Sequence, residues 1–179
     1  VNVSIYKTGD NICSSRNRGK MNIVIFSGGR GNKNLLKSLQ EPYPNFLKKV
    51  QVGHFVTMDK DQPFINPSSF WYSSKRHEIY FHSNAYGIMR YNAEKQSNAS
   101  FECFKSGKLL PSNLALEMSF QYECVIAFGT IMVVQGIDEK KEILNGLLQK
   151  YFGDMKPDRD YRAVTKKELN QTSVYRFII

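Results

Sequence analysis

The segment from Glu78 to Gly87 reads EIYFHSNAYG and places imidazole, hydroxyl and amide groups on three consecutive residues. Its first half has the alternating apolar positions of a β-strand, and the strand pattern ends at His82 and Ser83. A polar strand end followed by a glycine is typical of a plain turn. The same groups are also suited to an anion such as a phosphate, which accepts several N–H and O–H donors. The segment alone leaves both interpretations open.

The sequence contains no arrangement of residues typical of an enzyme that catalyses a reaction with its side chains alone. The histidines His54, His77 and His82 have no carboxylate or thiol at the spacing of metal ligands, so we expect no metal site. The sequence lacks a GxSxG nucleophile elbow, and no pair of acidic residues stands out for acid–base work. We therefore assign no catalytic residue. The pattern favours a protein in which a bound cofactor carries the chemistry.

The three cysteines, Cys13, Cys103 and Cys124, have no CxxC spacing, and their odd number argues against a disulfide framework. Cys103 and Cys124 lie within strand-like apolar runs. We expect both to be small buried thiols.

The formal charge of +9 is concentrated in the first 50 residues, which hold nine Lys and Arg against two acidic residues. Residues 51–179 hold sixteen basic and fourteen acidic residues and are close to neutral. A basic arm can bind nucleic acid, but this one has no interleaved aromatic residues, and we expect no such partner. No apolar run reaches the roughly 18 residues of a membrane span, and we expect a cytoplasmic protein.

Residues 21–40 read MNIVIFSGGRGNKNLLKSLQ, the pattern of a buried strand, a glycine-rich turn and a short helix. That order aims backbone N–H groups and a helix N-terminus at a phosphate. The stretch resembles the start of the 2-phospho-lactate transferase (CofD)-like proteins, but no further strand–helix units follow. We therefore separate a basic N-terminal segment, residues 1–44, with the character of a fused fragment, from a domain over residues 45–179.

After Pro44 the chain consists of short strand patterns separated by tight polar turns, which is typical of an antiparallel barrel. Strands are predicted over residues 54–59, 63–72, 78–83, 98–106, 120–136 and 172–179, helices over residues 45–53, 87–97, 138–152 and 165–171, and a loop over residues 107–113. Asp138 is the predicted N-cap of the longest helix. The fold class is mainly β: a six- to seven-stranded antiparallel barrel with peripheral helices.

Residues from about 45 onward resemble the flavin-nucleotide-binding proteins of the pyridoxamine 5′-phosphate oxidase-like superfamily, in particular the nitroimidazole-resistance (Nim) type. The resemblance is carried, in the family's order, by VGHFVTMDKDQPFINPSSFWY, EIYFHSNAYG, NASFE, YECVIAFGTIMVV with the following helix ending LLQKYF, and TSVYRFII. It implies an FMN-binding split barrel that forms a homodimer with FMN at the interface. Relatives continue beyond the last strand, so we expect the domain to be truncated at its C-terminus.

The resemblance also implies which residues hold the flavin. His82 and Ser83 would donate to the phosphate or ribityl chain, and Gly87 would let the backbone approach. The stretch Pro67, Ser68, Ser69 and Phe70 would run beside the isoalloxazine ring.

One position departs from the family pattern. Relatives commonly place a Lys or Arg two residues after the glycine, where this chain has Met89, and the cation follows at Arg90. On a helix one residue is about 100° of rotation, so the sequence leaves open whether Arg90 reaches the phosphate.

The resemblance implies an FMN-dependent oxidoreductase acting on a small-molecule substrate, either nitroreductase-like or a general flavin reductase or oxidase. The alternative is a non-catalytic flavin or haem carrier on the same fold. A true pyridoxamine-phosphate oxidase is less favoured, because the chain lacks that group's longer C-terminal substrate region.

Overall fold

The structure, a computed structural model, describes residues 3–7, 23–28 and 43–179. The strands are β1 (Val3–Lys7), β2 (Ile23–Gly28), β3 (Val52–Asp59), β4 (Gln62–Ser69), β5 (Trp71–Ser73), β6 (Glu78–Asn84), β7 (Asn98–Leu110), β8 (Ser119–Val133) and β9 (Thr172–Ile178). The helices are α1 (Tyr43–Lys49), α2 (Ile88–Lys95), α3 (Ile137–Phe152) and α4 (Lys166–Asn170), with a 3₁₀ turn at Ala115–Glu117.

Seven of the strands form a closed antiparallel barrel. Their order is β4-β3-β7-β8-β9-β6-β5, and all neighbouring pairs are antiparallel. Phe70 alone separates β4 from β5, so the chain itself joins the two ends of this order at Phe70. The predicted antiparallel barrel is confirmed.

Residues 63–72, predicted as one strand, form two strands that meet at Phe70. Up to Ser69 the chain pairs with β3, and from Trp71 it pairs with β6. The change of partner explains the break, because the strand must bend to leave one neighbour for the other.

Aromatic side chains fill the barrel interior. Phe55, Phe81, Phe101 and Phe177 are fully buried, and the Phe55 and Phe81 rings stack with centroids 3.6 Å apart. These residues come from β3, β6, β7 and β9, where alternate side chains point inward. Helix α2 closes this core with Met89 and Ala93.

Helix α3 packs on the outside of the barrel. Its buried residues Ile143 and Leu147 contact the outward-facing side chains Tyr80 and Val174 of β6 and β9. The predicted apolar stripe of this helix is confirmed.

No helix within the described part of the chain is long and apolar enough to span a membrane.

Two local predictions were wrong. The predicted loop over residues 107–113 begins later, because β7 continues to Leu110 by pairing with Ser119 after a register shift between Ser106 and Leu109. Asp138 is not the N-cap of α3, since the helix begins at Ile137 with Gly136 as its cap. Asp138 lies in the first turn, where its charge still complements the helix dipole.

The predicted N-terminal strand is described as β2, and it pairs antiparallel with β8 from Tyr122 to Ala127. Strand β1 adds to β2 in parallel. The glycine-rich turn after Gly28 and the helix predicted to follow it lie outside the described residues, and the division at residues 44/45 stays a prediction.

Gly129 of β8 lies where the end of β9 approaches most closely. A Cβ atom at this position would be 1.9 Å from the backbone oxygen of Ile178. We expect Gly129→Ala to lower the free energy of unfolding by about 1–3 kcal/mol, the cost of overpacking a close contact. Urea unfolding followed by circular dichroism measures it.

Gly136→Ala is the control, since the nearest atom to its added Cβ would be 3.8 Å away. Because Gly136 is only the N-cap residue of α3, we expect this variant to lower the free energy of unfolding by at most about 1 kcal/mol. Equal losses for the two variants would contradict the close approach at Gly129.

Candidate functional site

The polar end of β6 presents its side chains to two different faces of the sheet. Tyr80 belongs to the outer cluster under α3, and Phe81 belongs to the barrel core. Because side chains alternate along a strand, His82 follows Tyr80 outward and Ser83 follows Phe81 inward. The Ser83 Oγ atom lies 2.9 Å from the Tyr175 hydroxyl. The two residues predicted to donate to the phosphate or ribityl chain are therefore directed to opposite faces.

Gly87 starts α2 with a backbone conformation that other residues rarely adopt. Its φ is 130°, and a Cβ atom there would meet nothing within 4 Å. Glycine is therefore favoured here by the backbone conformation, and not by lack of space for a side chain. The first N–H groups of α2 follow it, and such groups have no partners within their own helix.

The orientation of α2 about its own axis determines which of its side chains can reach the polar end of β6. Met89 is buried, with its sulfur 3.9 Å from the Thr57 hydroxyl. Arg90 turns the other way, and its guanidinium donates to the Ser173 hydroxyl at 3.1 Å. Ser173 is the β9 partner of Ser83. The cation at position 90 therefore lies beside the predicted site, whereas position 89 faces the core.

A pocket of about 450 Å³ opens at this place, which we call the strand-end pocket. Its lining residues are Ala85, Tyr86, Gly87, Arg90, Tyr91 and Glu94. Arg90 and the start of α2 supply donors suited to an anion. Glu94 opposes an anion, because its carboxylate accepts from the Arg90 Nε atom at 2.6 Å.

A second cavity of about 500 Å³, the outer cavity, lies between the barrel and α3. Its lining residues are Ser69, His82, Leu144, Leu147, Leu148, Tyr151, Phe152, Tyr161, Arg162, Val164, Glu168 and Thr172. His82 keeps an exposed face, and partial desolvation by these groups lowers its pKa below the ordinary value, which favours the neutral imidazole. The volume lies within the range of small-molecule sites.

The structure separates the residues predicted to run beside a ring. Ser69 lines the outer cavity with His82. Pro67 is exposed opposite His54, and Ser68 pairs with Gly53.

Phe70 is fully buried against Phe101, with ring centroids 5.0 Å apart. Its ring is therefore part of the core. The structure thus brings Ser69 together with His82 in the outer cavity and Gly87 together with Arg90 in the strand-end pocket. Ser83 lies next to the second pair through its strand partner Ser173, and the role of each residue stays a prediction.

Two residues at the end of α3, absent from the sequence prediction, hold the bend at Phe70. The Tyr151 hydroxyl accepts the Phe70 N–H at 2.9 Å and lies 3.0 Å from the Phe70 carbonyl oxygen. Lys150 lies 3.6 Å above the Phe70 ring and donates to the carbonyl of Val50 at 2.7 Å. Burial lowers the Lys150 pKa to about 8. These contacts join residues 80 or more apart, and no local sequence signal indicates them.

The charged residues of the outer cavity neutralise each other. Arg162 pairs with Glu168 at 2.6 Å, and Glu168 also accepts from the N–H and hydroxyl of Thr165, both at 2.8 Å. The Arg162 guanidinium and these hydrogen bonds lower the Glu168 pKa to about 2. The capping box at Thr165 could have been recognised from the sequence as T-x-x-E.

Within residues 43–179, no three His, Cys, Asp or Glu side chains are arranged to hold a metal ion. Cys103 and Cys124 are both buried free thiols, as predicted.

A family profile for pyridoxamine 5′-phosphate oxidase matches residues 40–179, most of the chain. The chain belongs to this family. The resemblance identified from its sequence is thereby confirmed. None of the curated proteins matches the chain significantly.

Solved structures share the fold. An FAD- and haem-binding protein from Mycobacterium smegmatis has a TM-score of 0.66 at 21% identity, over 76% of this chain and 64% of that one. The flavocytochrome Anf3 from Azotobacter vinelandii has a TM-score of 0.63 at 19% identity, over 84% and 64%. A candidate 5-nitroimidazole antibiotic resistance protein from Bacteroides thetaiotaomicron has a TM-score of 0.61 at 14% identity, over 91% and 90%. The chain thus spans less than two thirds of the first two proteins.

Tyr151→Phe tests the bend at Phe70. The variant removes the acceptor of a part-buried N–H. We expect the free energy of unfolding to fall by about 1–3 kcal/mol, the cost of an unsatisfied buried group. Thermal and urea unfolding measure it.

Tyr161→Phe is the matched control, because Tyr161 lines the same cavity. Its hydroxyl makes no hydrogen bond to the described residues, so we expect little change. A stable Tyr151→Phe variant would show that the bend does not need this hydroxyl.

Proposed function

We propose that this protein binds a flavin nucleotide, FMN, with its phosphate in the strand-end pocket. The observation that carries the proposal is that Arg90 lines one pocket with the start of α2 at Gly87. Ser173, which accepts from Arg90, and its strand partner Ser83 lie behind this pocket. A phosphate dianion accepts charge-assisted hydrogen bonds from such a donor set. Membership of the pyridoxamine 5′-phosphate oxidase family supports this reading of the pocket.

The flavin ring would then lie along the outer side of β4, with its edge at Ser69 and His82. Both side chains line the outer cavity, and only two residues of β6 separate His82 from the turn that leads to Gly87. The neutral imidazole of His82 has one donor and one acceptor nitrogen for the polar edge of a ring. Ser69 adds a hydroxyl.

A bound flavin supplies electron transfer, and the chain supplies binding, orientation and a partly water-excluding wall. We infer a small oxidoreductase acting on a small-molecule substrate. The described residues around the two pockets include no side chain that we assign as a catalytic acid or base.

Haem is the second candidate ligand, because the neutral imidazole of His82 faces an apolar cavity, as an axial iron ligand does. The pairing of Arg162 with Glu168 weighs against haem, since it leaves that guanidinium without a free charge for a propionate. A haem-type Soret band on titration, lost in His82→Ala, would favour haem.

We also propose a homodimer through the outer face of β4, β3, β7 and β8. One row across these strands consists of Ile65, Val56, Ser100 and Phe128, as the strand registers place them side by side. Ile65 is 60% exposed and Phe128 45% exposed. The next row on the same face holds the pair of His54 with Glu102, so the surface combines apolar and polar side chains, as protein–protein interfaces do.

Two substitutions of opposite effect test the phosphate site. Arg90→Gln removes a charge-assisted donor, and we expect FMN to bind about 10- to 100-fold more weakly. Glu94→Gln removes the opposing carboxylate, and we expect binding about three- to tenfold tighter. Flavin absorbance after desalting and fluorescence titration measure both.

Lys95→Gln is the control, because it removes the same charge from α2 at a residue that does not line the pocket. Weakening equal to that of Arg90→Gln would indicate a general charge effect. Failure of the natural sequence to take up FMN at all would overturn the proposal.

Phe128→Lys tests the dimer. A charge in this row of the sheet face should convert a dimer into a monomer in sedimentation velocity, because a standard interface buries only about 800 Å² per partner. Leu116→Lys, at a residue 99% exposed and away from this row, should leave the mass unchanged. A monomeric natural sequence would contradict the interface.

A further inference from the structure

The outer cavity has a side that the proposed flavin does not use. Ser69 and His82 form the barrel side, whereas Leu144 and Leu148 of α3 and Val164 of the following segment form the opposite side. Leu148 is half-buried and lies outside the packed core clusters. The helix side is therefore a wall with room in front of it.

Two apolar side chains that line this side of the cavity are exposed. Phe152 is 55% exposed and Val164 is 38% exposed, although both line a concave surface. A ligand in the cavity would remove this apolar surface from water, which favours binding by about 25 cal/mol for each Å² covered.

The charge of the cavity restricts the ligand. The carboxylate of Glu168 is balanced by Arg162 and by two donors of Thr165, and the lowered pKa of His82 favours its neutral imidazole. An anionic ligand would lose its hydration without gaining an unpaired cation, and a cationic one would lose its hydration without gaining an unpaired anion. The remaining polar groups, among them the Thr172 hydroxyl, suit a neutral donor or acceptor.

We propose that the helix side of the outer cavity binds an uncharged, largely apolar molecule as the reaction partner of the flavin. Its role as reaction partner rests on the proposed function, whereas its binding does not. The cavity has a volume of about 500 Å³. A ring that reaches it only with one edge, at Ser69 and His82, leaves part of this volume free.

Two probes with the same ring and different charge test the ligand class. 2-Naphthamide is neutral, and 2-naphthoate is its carboxylate counterpart. Binding of each is measured by ligand-observed NMR and calorimetry, with the full chain alone and after FMN loading. We expect the amide to bind both forms and the carboxylate to bind at least about tenfold more weakly, because a charge loses more on desolvation.

Leu148→Trp fills the helix side and should abolish amide binding while leaving FMN uptake unchanged. Leu116→Trp, at a fully exposed residue, is the matched control and should change neither. Thermal unfolding shows whether the Leu148→Trp variant is folded, and Val164→Trp tests the same wall from the opposite segment.

Other outcomes would overturn the proposal in distinguishable ways. Equal or tighter binding of the carboxylate would contradict the neutral ligand class. One-to-one displacement of the amide by FMN would show that the flavin ring occupies the helix side. FMN uptake with no amide binding would overturn this inference alone, and amide binding without FMN uptake would overturn the flavin role.

Discussion

Closure of the barrel at Phe70 is the constraint on which the rest of the structure depends. The chain pairs with β3 up to Ser69 and with β6 from Trp71, so Phe70 lies between two registers. Tyr151 supplies hydrogen-bond partners to both backbone groups of Phe70. Ser69 directly precedes this bend, and it lines the outer cavity together with His82 of β6. The bend that closes the barrel is therefore also the step that forms the outer cavity.

The two pockets have different electrostatic characters. In the strand-end pocket Arg90 is shared between Ser173 and Glu94, so an incoming anion can compete for its donors. In the outer cavity the pairing of Arg162 with Glu168 is reinforced by a helix cap and leaves the wall neutral. A ligand with an anionic group in the strand-end pocket and an uncharged ring in the outer cavity would match these two electrostatic characters.

The fold could be predicted from sequence because local patterns and long-range packing agree in it. Short strands with polar turns and the stripe of Ile143 and Leu147 all appear in the structure. The site was less predictable. His82 and Ser83 were predicted to donate to the phosphate or ribityl chain, and their roles stay a prediction. Their directions were not predicted: the strand continues to Asn84, and its alternation directs them to opposite faces.

The remaining features depend on tertiary contacts that no local pattern encodes. The packing of Met89 against Thr57 sets the rotation of α2 and hence the direction of Arg90. Tyr151 reaches Phe70 across 81 residues of sequence. Helical geometry alone left open which way Arg90 points. The burial of Met89 in the core fixes that direction.

The most direct test of the central claim compares the affinities of FMN and riboflavin for the natural sequence by calorimetry. The two ligands share the ring and the ribityl chain and differ in the phosphate. If Arg90 and the start of α2 bind that phosphate, FMN should bind about 100-fold more tightly or better, and the difference should shrink as salt is raised. Equal affinities, or no binding of either, would contradict a phosphate site at the end of β6.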